Sequence, residues 1–271
     1  YHIYKSIDDY YCLLYNYLFL NIKKWEYNIK SVNHLPEKID ADFKYTINNY
    51  FCKNHHYLHA CSCYYSSWFK NSVVLTVDCA WENNIDWYSE SQVLWFWIWN
   101  KLEKLYSLKA ENKIWVWIGR AYLDISDLML LEEWSVMWLS AYWNPEKFSH
   151  INIFDYDWLN VKINKEILEK MDSPSLSEWI VFLRKYFWIT KEDYFQREKD
   201  ITKSIFADIA AKIQKETEEA MIYLANKAYE LTKSENLCIA WWVALNILSN
   251  TKILEKTKFK NVYISPASND W

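Results

Sequence analysis

Five residues able to bind a metal or act as nucleophiles crowd into nine positions: His55, His56, His59, Cys61 and Cys63, in the run HHYLHACSC. His55 and His59 are four apart, so on a helix their imidazoles share one face and can grip one metal ion. Zinc proteases of the HExxH type use that spacing, but they need Glu after the first His. Here His56 stands there, which excludes the protease reading. Two bland readings stay open at this level. One is an exposed or hydrogen-bonded histidine cluster; the other is a Cys/His zinc site drawing on Cys52, Cys61 or Cys63, although no CxxC pair supports it. Asp78 follows the apolar run Val73-Val74-Leu75-Thr76-Val77. A carboxylate at the end of a buried strand supplies an oxygen donor, and two histidines plus a carboxylate with open positions suit Fe(II) or Zn.

A second constellation is Ala240-Trp241-Trp242-Val243-Ala244-Leu245-Asn246, set between strand-like Leu237-Cys238-Ile239-Ala240 and a helical pattern over 243–255. Read with glycine at 241 and 242, it is a diglycine turn opening a helix, whose backbone N–H groups make a phosphate cradle. Asp78-Cys79-Ala80-Trp81-Glu82 becomes a tight strand-to-loop turn in the same way. An ordinary βα turn has the same pattern, so this signal is weak alone.

The reason for reading Trp as Gly is compositional. The chain has eighteen Trp and one Gly, Gly119, in 271 residues. Together they fill the share, about 7%, that glycine alone ordinarily takes. Trp134, Trp138, Trp143, Trp241 and Trp242 are all expected at turn or loop junctions, where a residue without Cβ reaches positive φ most cheaply. The pattern fits a codon meaning Gly, such as a reassigned UGA, rendered in a code that gives Trp. The competing reading is a Trp-rich binding module that stacks sugars or bases on exposed aromatic platforms.

The bulk numbers bound the rest. At 52% hydrophobic residues the chain can bury one large core or two lobes. A net charge of −4 without a sustained basic run argues against a general nucleic-acid binder. Six cysteines without a framework of spacings point to a reducing, cytoplasmic setting. No apolar stretch is long enough to span a bilayer, so no membrane partner is expected. The chain starts at Tyr1 with no leader, and the start is read as truncated.

Positioning falls to an alternation of elements. Strands are expected at 73–77, 113–118, 237–240 and 262–264. A long helix is expected from Ile201, on the stripe Ile201, Ile205, Ile209, Ile213, Ala220, Leu224, Ala228 and Leu231. Residues 1–50 show no chemical motif, and 149–197 are read as an insertion. The alternation implies an α/β architecture with a mixed or parallel sheet.

HHYLHACSCYYSS, VVLTVDCAWE, EEWSVMWLSAYWNP, NLCIAWWVALN and ISPASNDW, in that order over 55–271, resemble the characteristic segments of the carbamoyltransferase family. That family includes nodulation protein U and the cephalosporin and aminoglycoside O-carbamoyltransferases. Each segment but the first has Trp where the family has Gly. The resemblance implies an actin-like, sugar-kinase-like ATPase core, a two-lobe ribonuclease-H-like fold, incomplete here at both ends. Residues 1–70 would be the rest of the first lobe with the HxxxH motif, and 71–271 the second lobe with the nucleotide turn.

The resemblance further implies transfer of a carbamoyl group from a carbamoyl-adenylate to an acceptor hydroxyl, at a site holding an iron-type divalent metal and ATP or AMP. His55, His59, Asp78 and Asp270 match the metal ligands. Trp241, Trp242, Val243 and Asn246 match the nucleotide turn. The family's catalytic histidine would precede Tyr1, and a YrdC-like domain that makes the adenylate from carbamoyl phosphate would follow Trp271. The expected partners are a small-molecule hydroxyl acceptor and carbamoyl phosphate. The chain departs from the family at Ser135, where Lys is usual, and at Cys79, where Gly is usual. The tRNA threonylcarbamoyl-transfer enzymes share the implied fold and metal site; the acidic balance and the EEWSVMWLSAYWNP segment argue against them.

Overall fold

A run of β-branched and apolar residues such as Ser72–Val77 calls for a sheet covered on both faces, and all six of its residues are buried. The computed structural model describes residues 55–77, 90–98, 101–109, 117–142, 145–169 and 176–266. Its strands are β1 (Ser72–Val77), β2 (Glu90–Ile98), β3 (Lys101–Lys109), β4 (Phe154–Asp157), β5 (Asn160–Ile163), β6 (Asn236–Ala240) and β7 (Asn261–Ile264). The main sheet runs β3-β2-β1-β6-β7, and β4 and β5 form a separate hairpin. β1 pairs antiparallel with β2 and parallel with β6, while β6 is parallel to β7. The protein is therefore α/β with a mixed sheet.

Successive side chains on a strand point to opposite faces, and the two faces bury different partners. Val74, Val93, Trp95, Trp97, Cys238 and Ala240 pack against Ala60, Cys61, Cys63 and Tyr64 of helix α1 (His55–Ser67). Val73, Leu75, Val77, Leu94, Leu237 and Ile239 face the larger core. The helices over that core are α2 (Ile118–Leu128), α3 (Glu133–Leu139), α4 (Lys165–Glu169), α5 (Leu176–Tyr186), α6 (Lys191–Lys199), α7 (Ile205–Thr232) and α8 (Ile247–Lys256). α7 is the spine: Ile209, Ile213, Ala220, Leu224 and Ala228 are buried along one stripe, as its period requires.

Trp134 and Trp138, expected at turn junctions, lie inside α3 and do not have positive φ, and three element boundaries differ from the sequence expectation. Of the strand expected at 113–118, residues 113–116 lie outside the described residues, and Ile118 and Gly119 open α2 instead. There Ile118, Ala121, Tyr122, Ile125 and Leu128 recur at helical spacing on the buried side. α7 begins at Ile205 rather than Ile201, because Ile201–Lys203 forms a short turn whose Thr202 N–H donates to Asp200 Oδ1 at 3.1 Å. The helix expected over 243–255 splits into a 3₁₀ turn, Trp242–Leu245, and α8, with Asn246 between them. The stretch 149–197 holds the β4–β5 hairpin and α4 to α6. None of the described helices is long and apolar enough to cross a membrane.

Six described non-glycine residues have positive φ: Trp68 (61°), Leu130 (54°), Trp158 (49°), Trp188 (52°), Lys233 (52°) and Trp241 (84°). The single glycine, Gly119, sits inside α2 and is not among the positive-φ positions.

Candidate functional site

The C-terminal end of the parallel pair β1–β6 is where an open α/β sheet gathers its loops, and both chemical constellations meet there. HHYLHACSC is helical, the condition under which His55 and His59 fall one turn apart. The first turn of α1 lies over the end of β1: His56 Nδ1 is 2.9 Å from Thr76 Oγ1, and His56 Nε2 donates to the Glu90 carbonyl at 2.7 Å. Thr76 is in register with Ala240, so the turn beginning at Trp241 leaves the sheet beside Val77. His59 and Trp241 are in ring contact, their centroids 3.5 Å apart at 90°.

His56 is thus a tether, not a ligand candidate. It is buried, with its two nitrogens committed to β1 and β2, and it fixes the helical phase that puts His55 and His59 one turn apart. Glu90 anchors the other side. Burial pushes its carboxyl up, but the Lys104 ammonium, bonded to both its oxygens at 2.7 and 2.9 Å, outweighs burial and holds it below its ordinary value, with help from Ser107. The zinc reading through Cys63 fails on environment. Its thiol donates to the Ile239 carbonyl at 3.2 Å inside the α1–sheet layer, and burial pushes it well above its ordinary value. Burial of that kind marks a structural thiol.

The second constellation is built as a turn locked from below. Trp241 is buried, with φ 84° and ψ −177°. The Ala244 N–H donates to the Trp241 carbonyl at 2.8 Å, and the Asn246 N–H to the Val243 carbonyl at 3.1 Å. Asn246 then caps α8, its Oδ1 accepting from the Ser249 N–H at 3.0 Å, the usual duty of Asn at this position. Its amide also pairs with Gln214 of α7, which is buried and bonded in turn to the Tyr122 hydroxyl at 3.0 Å and to Glu218 at 2.9 Å. Burial, with Glu133 and Glu218 nearby, raises the Tyr122 phenol, so it stays a donor. Gln214 and Tyr122 were missed from sequence. The available signal was polar Gln214 on the buried stripe of α7, next to Ile213.

Of the residues matched to metal ligands, His59 is described and buried beside the turn. His55 opens α1, but its side chain, Asp78 and Asp270 lie outside the described residues. Asp78 follows Val77 directly in sequence, and Asp270 comes a few residues after Ile264, the last residue of β7. That strand is parallel to β6, with Ile239 opposite Ile264. Among the described residues no three His, Cys, Asp or Glu side chains form a metal-sized group.

Comparisons with known proteins bear on identity. Residues 158–271 match the family described as carbamoyltransferase N-terminus. The chain is 28% identical over 220 residues to the uncharacterized protein sll1178 of Synechocystis sp., covering 80% of this chain and 34% of that protein. It is 24% identical over 220 residues to nodulation protein NolO of Bradyrhizobium diazoefficiens, covering 80% and 36%. It is 28% identical over 235 residues to the uncharacterized protein MJ1058 of Methanocaldococcus jannaschii, covering 80% and 34%. The chain spans about a third of the length of each of these relatives. The likeness to the carbamoyltransferase family read from the five sequence segments is thus shown, by the family match over residues 158–271 and by relatives that cover four-fifths of the chain.

Proposed function

We propose that this chain carries the metal- and nucleotide-binding core of an O-carbamoyltransferase, which moves a carbamoyl group from a carbamoyl-adenylate to an acceptor hydroxyl. The observation that carries the reading is the meeting of His59 and the 241–246 turn at one end of the sheet, the end where the parallel strands β1, β6 and β7 all finish. The strand order β3-β2-β1-β6-β7, with β2 alone running against the others, supports a ribonuclease-H-like lobe.

In the reaction, the acceptor oxygen forms a bond to the carbamoyl carbon, and the bond from that carbon to the phosphate oxygen breaks. AMP departs with the electron pair, and the hydroxyl proton passes to a base. The 241–246 turn and the start of α8 would face the departing phosphate, where N–H donors and a helix N-terminus stabilise negative charge. A divalent cation such as Fe(II), held by His55, His59, Asp78 and Asp270, would supply Lewis acidity toward the carbamoyl carbonyl. The helical phase of α1 fits that role, since His56 is already spent on β1 and β2.

The test is transfer by the full-length protein given ATP, carbamoyl phosphate and a panel of hydroxyl acceptors, read as carbamoylated product by mass spectrometry. His59→Ala should abolish the product while leaving a folded protein by circular dichroism. Undiminished transfer by His59→Ala would remove this site from the reaction.

A further inference from the structure

We infer that positions 68, 158, 188 and 241 carry glycine in the protein as its own cell makes it, the Trp of the sequence being a glycine codon rendered in a code that gives it as Trp. Non-glycine residues rarely take positive φ, and those that do are enriched in Asn, Asp and His rather than Trp. Here four of the six described cases are Trp.

Each of the four stands where backbone geometry asks for glycine. At the end of α5, Trp188 N–H donates to Lys185 O at 3.1 Å and Ile189 N–H to Arg184 O at 2.8 Å. That bond pair is the Schellman motif, with Trp188 in its left-handed position, ordinarily glycine. Trp68, with φ 61°, directly follows α1. Asp157 pairs with Asn160, leaving a two-residue hairpin loop, Trp158-Leu159. Only Trp158 in that loop has positive φ, and a tight hairpin with that pattern places glycine first.

Position 241 is the most restrictive. A φ of 84° with ψ −177° lies in a region open essentially to glycine alone. The side chain is equally misplaced. Aromatic pairs settle with centroids about 4.5–7 Å apart, yet the Trp241 indole and the His59 imidazole stand at 3.5 Å, edge to face, in a fully buried layer. The indole is held too close to the His59 ring, and glycine at 241 would relieve that contact.

Leu130 and Lys233 show that a side chain can be tolerated at a left-handed helix end. Neither occupies a two-residue hairpin or the backbone region of position 241. Exposure would fit the aromatic-platform alternative, since Trp68 is 92% and Trp188 71% exposed. A binding platform, however, gives no reason for left-handed backbone beneath the ring, and it leaves buried Trp241 unexplained.

The inference does not rest on the proposed reaction. It is tested by purifying the protein from its source cells, digesting it and sequencing the peptides over 58–70, 151–162, 185–191 and 236–252 by tandem mass spectrometry. Glycine is expected at all four positions, and the gene is expected to use UGA at each. Tryptophan at any of the four positions, or a UGG codon at any of them, overturns it.

Discussion

Gln214 and Asn246 face each other amide to amide: Gln214 Nε2 donates to Asn246 Oδ1 at 3.0 Å, and Asn246 Nδ2 returns a bond to Gln214 Oε1 at 2.9 Å. This pair ties the spine helix α7 to the turn that launches α8. Gln214→Leu leaves the half-buried Asn246 amide facing an apolar side chain, at a cost up to the low end of the about 1–3 kcal/mol of an unmatched buried polar group. Asn246→Ala adds the loss of an N-cap, about 0.5–2 kcal/mol. The double variant should fall short of additivity by at least about 0.5 kcal/mol in urea denaturation. Strict additivity would mean that the two amides do not act as a unit.

A second expectation concerns backbone strain. A side chain in left-handed backbone costs roughly 1–2 kcal/mol, so Trp68→Gly, Trp158→Gly, Trp188→Gly and Trp241→Gly together should raise the unfolding free energy by several kcal/mol. For a chain of this size each kcal/mol is about 2–4 °C in Tm. Trp241→Gly should contribute most, because it also relieves the contact with His59. A fourfold variant melting below the Trp form in differential scanning calorimetry would contradict this.

Which parts of this could be read from residues alone follows a physical line. Ser72–Val77 and the α7 stripe declare themselves because burial on two faces or one leaves a strict period. The meeting of α1 with the 241 turn follows from parallel pairing of β1 with β6, a contact between distant segments that no local pattern encodes. His56 was invisible for the same reason: its role depends on Thr76 and the Glu90 carbonyl, brought beside it only by folding. Ile118 was read as strand because its apolar neighbours hid the helical spacing that begins there.

The buried ion pair of α7 makes a third prediction. Lys212 Nζ and Glu216 Oε1 are 2.6 Å apart, and both side chains are almost fully enclosed. Removing one partner strands the other charge, at about 3–5 kcal/mol, whereas replacing both with apolar residues is often neutral. Lys212→Met should therefore be strongly destabilising, and Lys212→Met with Glu216→Leu should recover most of the loss. Equal losses in single and double variants, measured by chemical denaturation, would speak against this.

Acid sensitivity gives a fourth. Glu90 has its folded-state value lowered from 4.5, chiefly because the Lys104 contact outweighs the opposing effect of burial. A depressed carboxylate contributes stability that is present above its unfolded value and is lost as pH falls through the folded one. Wild-type stability should accordingly drop from pH 5 toward pH 3, and Lys104→Met should show a shallower drop because that contribution is already gone. Identical pH slopes for the two in denaturant titrations would show that the pair contributes nothing.

The account's central claim is that the start of α1 and the 241–246 turn form one nucleotide- and metal-binding site. Hydrogen exchange read by mass spectrometry tests it most directly, on the full-length protein from its source cells, with and without AMP and Fe(II). The account predicts slower exchange in both segments, 55–60 and 241–249, upon addition of both ligands, and loss of that protection in His59→Ala. Protection confined to other parts of the protein, or unchanged exchange in both segments at saturating nucleotide, would contradict it.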